Sequence, residues 1–187
     1  MSVNADNPGP VEIALEENLR VHAIGAEILA PFVIERFNAG GEAAFAEISV
    51  AITGEDGQEQ TRAVRLLWNP QSAFAKPSAM QERVKTEWGA VGVACALIPP
   101  LLGKRILSDA EEGEGFDYRM GDGLGEWGLE ISGTLSESES DLRERHRQKV
   151  RQLRENPPHL RGYVFIVGFT LREILVSFHL PQWEELA

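Results

Sequence analysis

Three carboxylates fall where chemistry could use them: Glu87, Asp117 and Glu130. In the run Trp127–Ser132 (WGLEIS), Leu129 and Ile131 alternate with Glu130 and Ser132. If this run is a strand, the two apolar residues face a core and the acid points the other way, toward a cleft or solvent. Asp117, on the preceding strand, makes a suitable pair with Glu130 for a hard divalent cation, Mg²⁺ or Mn²⁺. Such an ion takes oxygen ligands, commonly one or two carboxylates plus waters and substrate phosphate. It would polarise a phosphodiester and generate hydroxide from bound water. A nearby cation could orient the attacking water and offset the charge of the pentavalent state. Lys149 is the candidate. It stands four residues from Arg145 and three from Gln152, so the three share one polar helix face.

The elements that must position these groups can be read from periodicity and punctuation. Residues 11–38 read as helical, with Pro31 a break or kink and Asn38-Ala39-Gly40-Gly41 closing the element. Residues 46–53 alternate, with Ile48, Val50 and Ile52 on one face, and 61–68 offers the partner strand of a hairpin across the Gly- and Asp-containing turn. A helix follows from about Ala79 to Ile98, with Ser78 as N-cap, a stripe of Val84, Trp88, Val91 and Cys95, and Pro99-Pro100 as its stop. Gly89 and Gly92 within it imply close approach of another backbone. Strands are expected over 104–109, from Glu114 into Met120, and over 127–132. A helix then runs from about Glu139 to Arg154, ended by Pro157-Pro158, before a buried strand at 162–169 and an alternating one at 173–180. That order predicts an α/β fold with a mixed central sheet flanked by helices. Residues 1–75 form an N-terminal helix and β-hairpin elaboration of the same globule, and 76–187 the core.

The succession of Glu87 on a helix, GFDY at 115–118, LEISGT at 129–134 and R-x-x-x-K-x-x-Q at 145–152 resembles the PD-(D/E)XK nuclease superfamily, and more narrowly its small bacterial members. The resemblance spans roughly residues 80–180. It implies a restriction-endonuclease-like fold and metal-dependent cleavage of nucleic-acid phosphodiesters, in a DNA-processing or defence setting. Asp117 matches the first acid and Glu130 the second. The family lysine two residues after the second acid is replaced here by Ser132. In some members that lysine has moved to the following helix, where Lys149 sits. Glu87, Ser132 and Gln152 would support the site.

Bulk composition bears on the partners. The chain has 187 residues and a net charge of −11, which taken alone disfavours a nucleic-acid binder, because phosphate contacts need Lys and Arg. The charge is uneven, however. Asp109, Glu111, Glu112, Glu114 and Asp117 form an acidic run, and Arg143, Arg145, Arg147, Lys149, Arg151 and Arg154 a basic one. Arg143, Arg145, Arg147 and Arg151 are thus candidates for a phosphate track. The acidity points to a basic protein partner or to a homo-oligomer that gathers the Arg-rich helices. It also suits a rival function, a catalytically inactive nuclease-fold subunit serving protein–protein assembly. The single cysteine, Cys95, suggests a reducing compartment. With no visible signal peptide and no long apolar run, this predicts a cytoplasmic protein that does not contact membrane.

Each candidate has a plainer alternative. Glu130 could be an exposed strand residue, Asp117 turn chemistry, Glu87 a helix-surface acid, and the Arg-rich stretch a solvated face. His146 shares a stripe with Leu142, Val150 and Leu153 and reads as a core-edge histidine. Ser177 and His179 share a strand face without an accompanying acid, which disfavours a Ser/His hydrolase. No zinc spacing, P-loop or dinucleotide fingerprint is present.

Overall fold

Alternation of β-branched and polar residues builds the first part of the sheet. The structure, a computed structural model, describes residues 9–37, 43–75, 80–135, 138–155 and 161–181, without the side chains of 73–75. Strand β2 (Phe45–Thr53) buries Ile48, Val50 and Ile52 and runs antiparallel to β3 (Glu59–Leu67). Gly57 closes their turn at φ 72°, a conformation that favours glycine. Strand β1 (Val11–Ala14) adds in parallel to β3.

The second part contains β4 (Arg105–Asp109), β5 (Tyr118–Gly121), β6 (Glu126–Thr134), β7 (Gly162–Gly168) and β8 (Glu173–His179). Parallel pairing of β2 with β8 joins the two parts into one eight-stranded mixed sheet, in the order β1-β3-β2-β8-β7-β6-β5-β4. Helices α1 (Leu15–Leu19), α2 (Ala30–Phe37) and α3 (Glu82–Leu102) cover one face, and α4 (Glu139–Glu155) packs on the other. The fold is therefore α/β, with a mixed sheet and helices on both faces. Among the described residues no helix is long and apolar enough to cross a membrane.

The alternation expected in β6 holds. Leu129 and Ile131 join the larger core under α3, while Val164 and Ile166 of β7 pack with Phe116, Leu142 and Leu153 beneath α4. Small residues let α3 settle closely. A Cβ on Gly92 would lie 2.5 Å from Val33 Cγ2, and one on Gly133 of β6 would lie 2.8 Å from both Ala90 Cβ and Thr86 O. Gly92→Val is accordingly expected to destabilise by about 1–3 kcal/mol through overpacking, as a denaturant melt would show.

Four expectations of the helices need correcting. Residues 11–38 are not one helix: Val11–Ala14 pairs with β3, and a 3-10 turn at Ala26–Leu29 separates α1 from α2. Ladder pairing and burial of Ile13 outweigh local helix propensity. Pro31 is no break, since it is the second residue of α2, where a missing N–H costs nothing. The stripe expected on α3 is also rotated. The face against α2 and the sheet carries Gly89, Ala90, Val93 and Leu97, leaving Trp88 38% exposed.

Nor do Pro99 and Pro100 stop α3, which continues to Leu102 and ends at Gly103 with φ 65°. Pro99 has no N–H for the Cys95 carbonyl four residues back. That carbonyl is instead 2.7 Å from His22 Nε2, while His22 Nδ1 accepts the Ile106 N–H at 2.8 Å. The second bond places the ring proton on Nε2, so buried His22 replaces the hydrogen bond the proline removed. The expected cap at Ser78 and the turns at 38–41 and 157–158 lie outside the described residues.

Candidate active site

The site forms where β6 outruns its neighbour. Strand β5 pairs with β6 only from Glu126 to Leu129, so the next residues of β6 have no strand on that edge. Asp117 fills the gap. Its N–H donates to Leu129 O at 3.0 Å, and its Oδ2 accepts the Ile131 N–H at 2.8 Å. The carboxylate thereby continues the ladder by one bond.

Glu130 leaves β6 on the face opposite Leu129 and Ile131, but it reaches neither open cleft nor solvent. Its side chain is wholly buried beneath α4. This corrects the expectation of an accessible acid, and the reason is packing: Leu142 and Leu153 draw α4 down over β6 and β7. Lys149 Nζ donates to Glu130 Oε2 at 2.7 Å, Gln152 Nε2 donates to Oε1, and Lys149 also donates to Gln152 Oε1 at 3.2 Å. Arg145, one turn earlier, donates to Ser132 Oγ at 3.0 Å. Arg145, Lys149 and Gln152 thus share one flank of the helix, as their spacing predicts, and reach successive outward-facing residues of β6.

A cleft of about 590 Å³ opens in front of this row. Glu87 and Trp88 of α3 form one wall, Arg145 and Lys149 of α4 the other, with Asp109, Asp117 and Ser132 between them. Burial, and after it the charge of Asp117, push the Glu130 carboxyl up to about 7, while hydrogen bonding and charge from Lys149 pull it down. Two acids thus stand side by side, Glu130 held above the ordinary carboxylate range although Lys149 is bonded to it. No protein-family model, curated protein or solved structure matches the chain.

Asp117, Glu130, Lys149, Ser132 and Gln152 come together. Glu87 reaches the cleft wall, yet its carboxylate is held by Arg83 at 2.9 Å. The arginines do not form one track. Arg145 faces the cleft, whereas Arg143 and Arg147 line a separate polar groove beside β2 and β8, and Arg151 lies 3.8 Å from Glu144. At about 3.6 residues per turn, a dense run of cations distributes itself around a helix.

Asp109 and Tyr118 also line the cleft. Asp109 belonged to the acidic run, and nothing in its local pattern set it apart. His146 Nε2 lies 2.6 Å from Ser177 Oγ, which lies 2.7 Å from His179 Nε2. This three-residue chain links α4 to β8, across a sequence separation that no local pattern reveals. Burial lowers both histidines, His179 to about 4 with help from the charges of His146 and Arg154.

Proposed function

We propose that the cleft is a metal-dependent phosphodiesterase centre of the restriction-endonuclease-like kind, acting on nucleic acid. The observation that carries this reading is the grouping of Asp117 with buried Glu130 and of Glu130 with Lys149. Asp117 and Glu130 would hold a hard cation, Mg²⁺ or Mn²⁺. Among the described residues no three His, Cys, Asp or Glu side chains gather as a ligand set; a cation held by these two carboxylates would complete its shell with waters and substrate oxygens. The carboxyl raised to about 7 is what a neighbouring cation would relieve. Once bound, the ion supplies Lewis acidity and a water of lowered pKa. Lys149 fixes Glu130 through Oε2 and places a positive charge at the cleft wall, where it stabilises charge building on the phosphate. Arg145, held by Ser132, offers further donors to a phosphate oxygen. Gln152 keeps Glu130 oriented through Oε1.

One observation favours the second reading, an assembly subunit with the fold but not the activity: both Glu130 oxygens are already bonded within the chain. Calorimetric Mn²⁺ titration, together with degradation of plasmid and single-stranded DNA in Mg²⁺ or Mn²⁺, separates the two. Wild type is expected to bind Mn²⁺ and cut. Glu130→Ala should lose Mn²⁺ binding. Lys149→Ala should keep metal affinity and lose cleavage, because truncating a group that acts on transition-state charge lowers turnover more than binding. Wild type that neither binds Mn²⁺ nor cuts would give the assembly reading the field.

A further inference from the structure

Trp88 stands where the cleft changes character. One side of it faces the charged cleft with Asp117, Arg145 and Lys149. The other lines an apolar recess of about 310 Å³ with Ile24, Ile28, Val91 and Tyr118. Trp88, Val91, Asp109 and Tyr118 border both spaces, so the two adjoin. The indole is held edge-on by buried Phe32, with ring centroids 5.2 Å apart at 77°. Its orientation is therefore set by the core while 38% of its surface stays open. Ile28 at the rim is 64% exposed. Apolar surface of this kind is costly to leave in water, and beside a charged cleft it suits a ligand with a flat apolar end and an anionic end.

An unpaired nucleotide in a strand has both ends, whereas the bases of a duplex are stacked away from such a recess. The volume is at the small end of the roughly 300–1,000 Å³ range for ligand pockets, which suits one base and not a stack. Resting on the phosphodiesterase reading above, we infer that the recess takes one unpaired nucleobase of a single-stranded substrate, stacked at Trp88, and so sets its phosphodiester in front of Asp117 and Lys149.

The test measures binding of a labelled oligothymidylate to the full chain, with Ca²⁺ in place of Mg²⁺, against an abasic oligonucleotide of equal length and charge. Base–aromatic stacking contributes about 1–3 kcal/mol per base, so wild type should prefer the base-bearing strand by roughly 5- to 150-fold. Trp88→Leu keeps an apolar group against Phe32 but removes the π-face, and should erase that preference while leaving Mn²⁺ affinity unchanged. Ile28→Glu, at a largely exposed position on the rim, should weaken the same binding by repelling the strand. Equal binding of the abasic strand by wild type overturns the inference, as does an undiminished preference in Trp88→Leu. Equal affinity for thymidine monophosphate, or for duplex, also overturns it. Failure of the parent reading looks different: wild type would neither bind Mn²⁺ nor cut, yet a base preference lost in Trp88→Leu would still support the recess.

Discussion

Glu130→Gln is expected to make the protein more stable than wild type above pH 7, by about 1–3 kcal/mol, and to leave it nearly unchanged near pH 4.5. The Glu130 carboxyl is held at about 7 in the folded chain against an ordinary value of 4.5. Below pH 4.5 it carries its proton in both states, and folding gains nothing by exchanging it for an amide. As pH rises from 4.5 to 7, the unfolded chain sheds the proton and the folded chain keeps it, so wild-type stability falls; above 7 the penalty is complete. The raised value alone corresponds to about 3 kcal/mol, and loss of the charge partner of Lys149 subtracts from the gain. Lys149 is 23% exposed and can turn its charge toward water. Urea melts of both proteins across this range provide the measurement. Comparison with the variant matters, because His22, His146 and His179 are all lowered. Their contribution runs the other way, being present above about pH 6.5 and lost as pH falls toward their folded values. Parallel curves for wild type and Glu130→Gln would mean that Glu130 titrates normally.

Lys149→Met should have a larger effect of opposite sign. At pH 8 it strands a buried carboxylate without its cation, and breaking such a pair from one side costs about 3–5 kcal/mol. At pH 5 the cost should shrink to about 1 kcal/mol, the worth of a hydrogen bond, because Glu130 is then protonated. Adding Glu130→Gln to Lys149→Met should restore most of the loss at pH 8. If the single variant costs the same at both pH values, the damage comes from packing of the lysine stem and not from the stranded charge.

Much of this site was legible because it depends on local periods. Alternation in WGLEIS assigns Glu130 to the face opposite Leu129, and the three- and four-residue spacings assign Lys149, Gln152 and Arg145 to one helix flank. The part that escaped depends on distant segments. The burial of Glu130 follows from α4 seating on Leu142, Leu153, Val164 and Ile166, which strand alternation alone does not show. Asp117 serves as a ladder extension only because β5 stops short of β6. Density of arginine did not reveal direction, so Arg143 and Arg147 face away from Arg145. Pro99 and Pro100 look like a helix stop locally, but the missing hydrogen bond is supplied by His22, more than seventy residues earlier. The first strand was misread because Val11 and Ile13 are placed by pairing with β3.

The place of β8 governs how the chain is completed as it is synthesised. The last of the described strands to be made lies inside the sheet, between β2 and β7. Until it arrives, β2 presents a bare edge of unpaired amides and carbonyls, and β7 lacks its second neighbour. The segment carrying β1 to β3 can form its own ladder early, but it cannot join the half that bears Asp117 and Glu130. Edges of this kind invite pairing with other chains, and long-range parallel pairing is slow to form. A nascent chain therefore carries the open edge of β2 from the synthesis of Thr53 until that of His179.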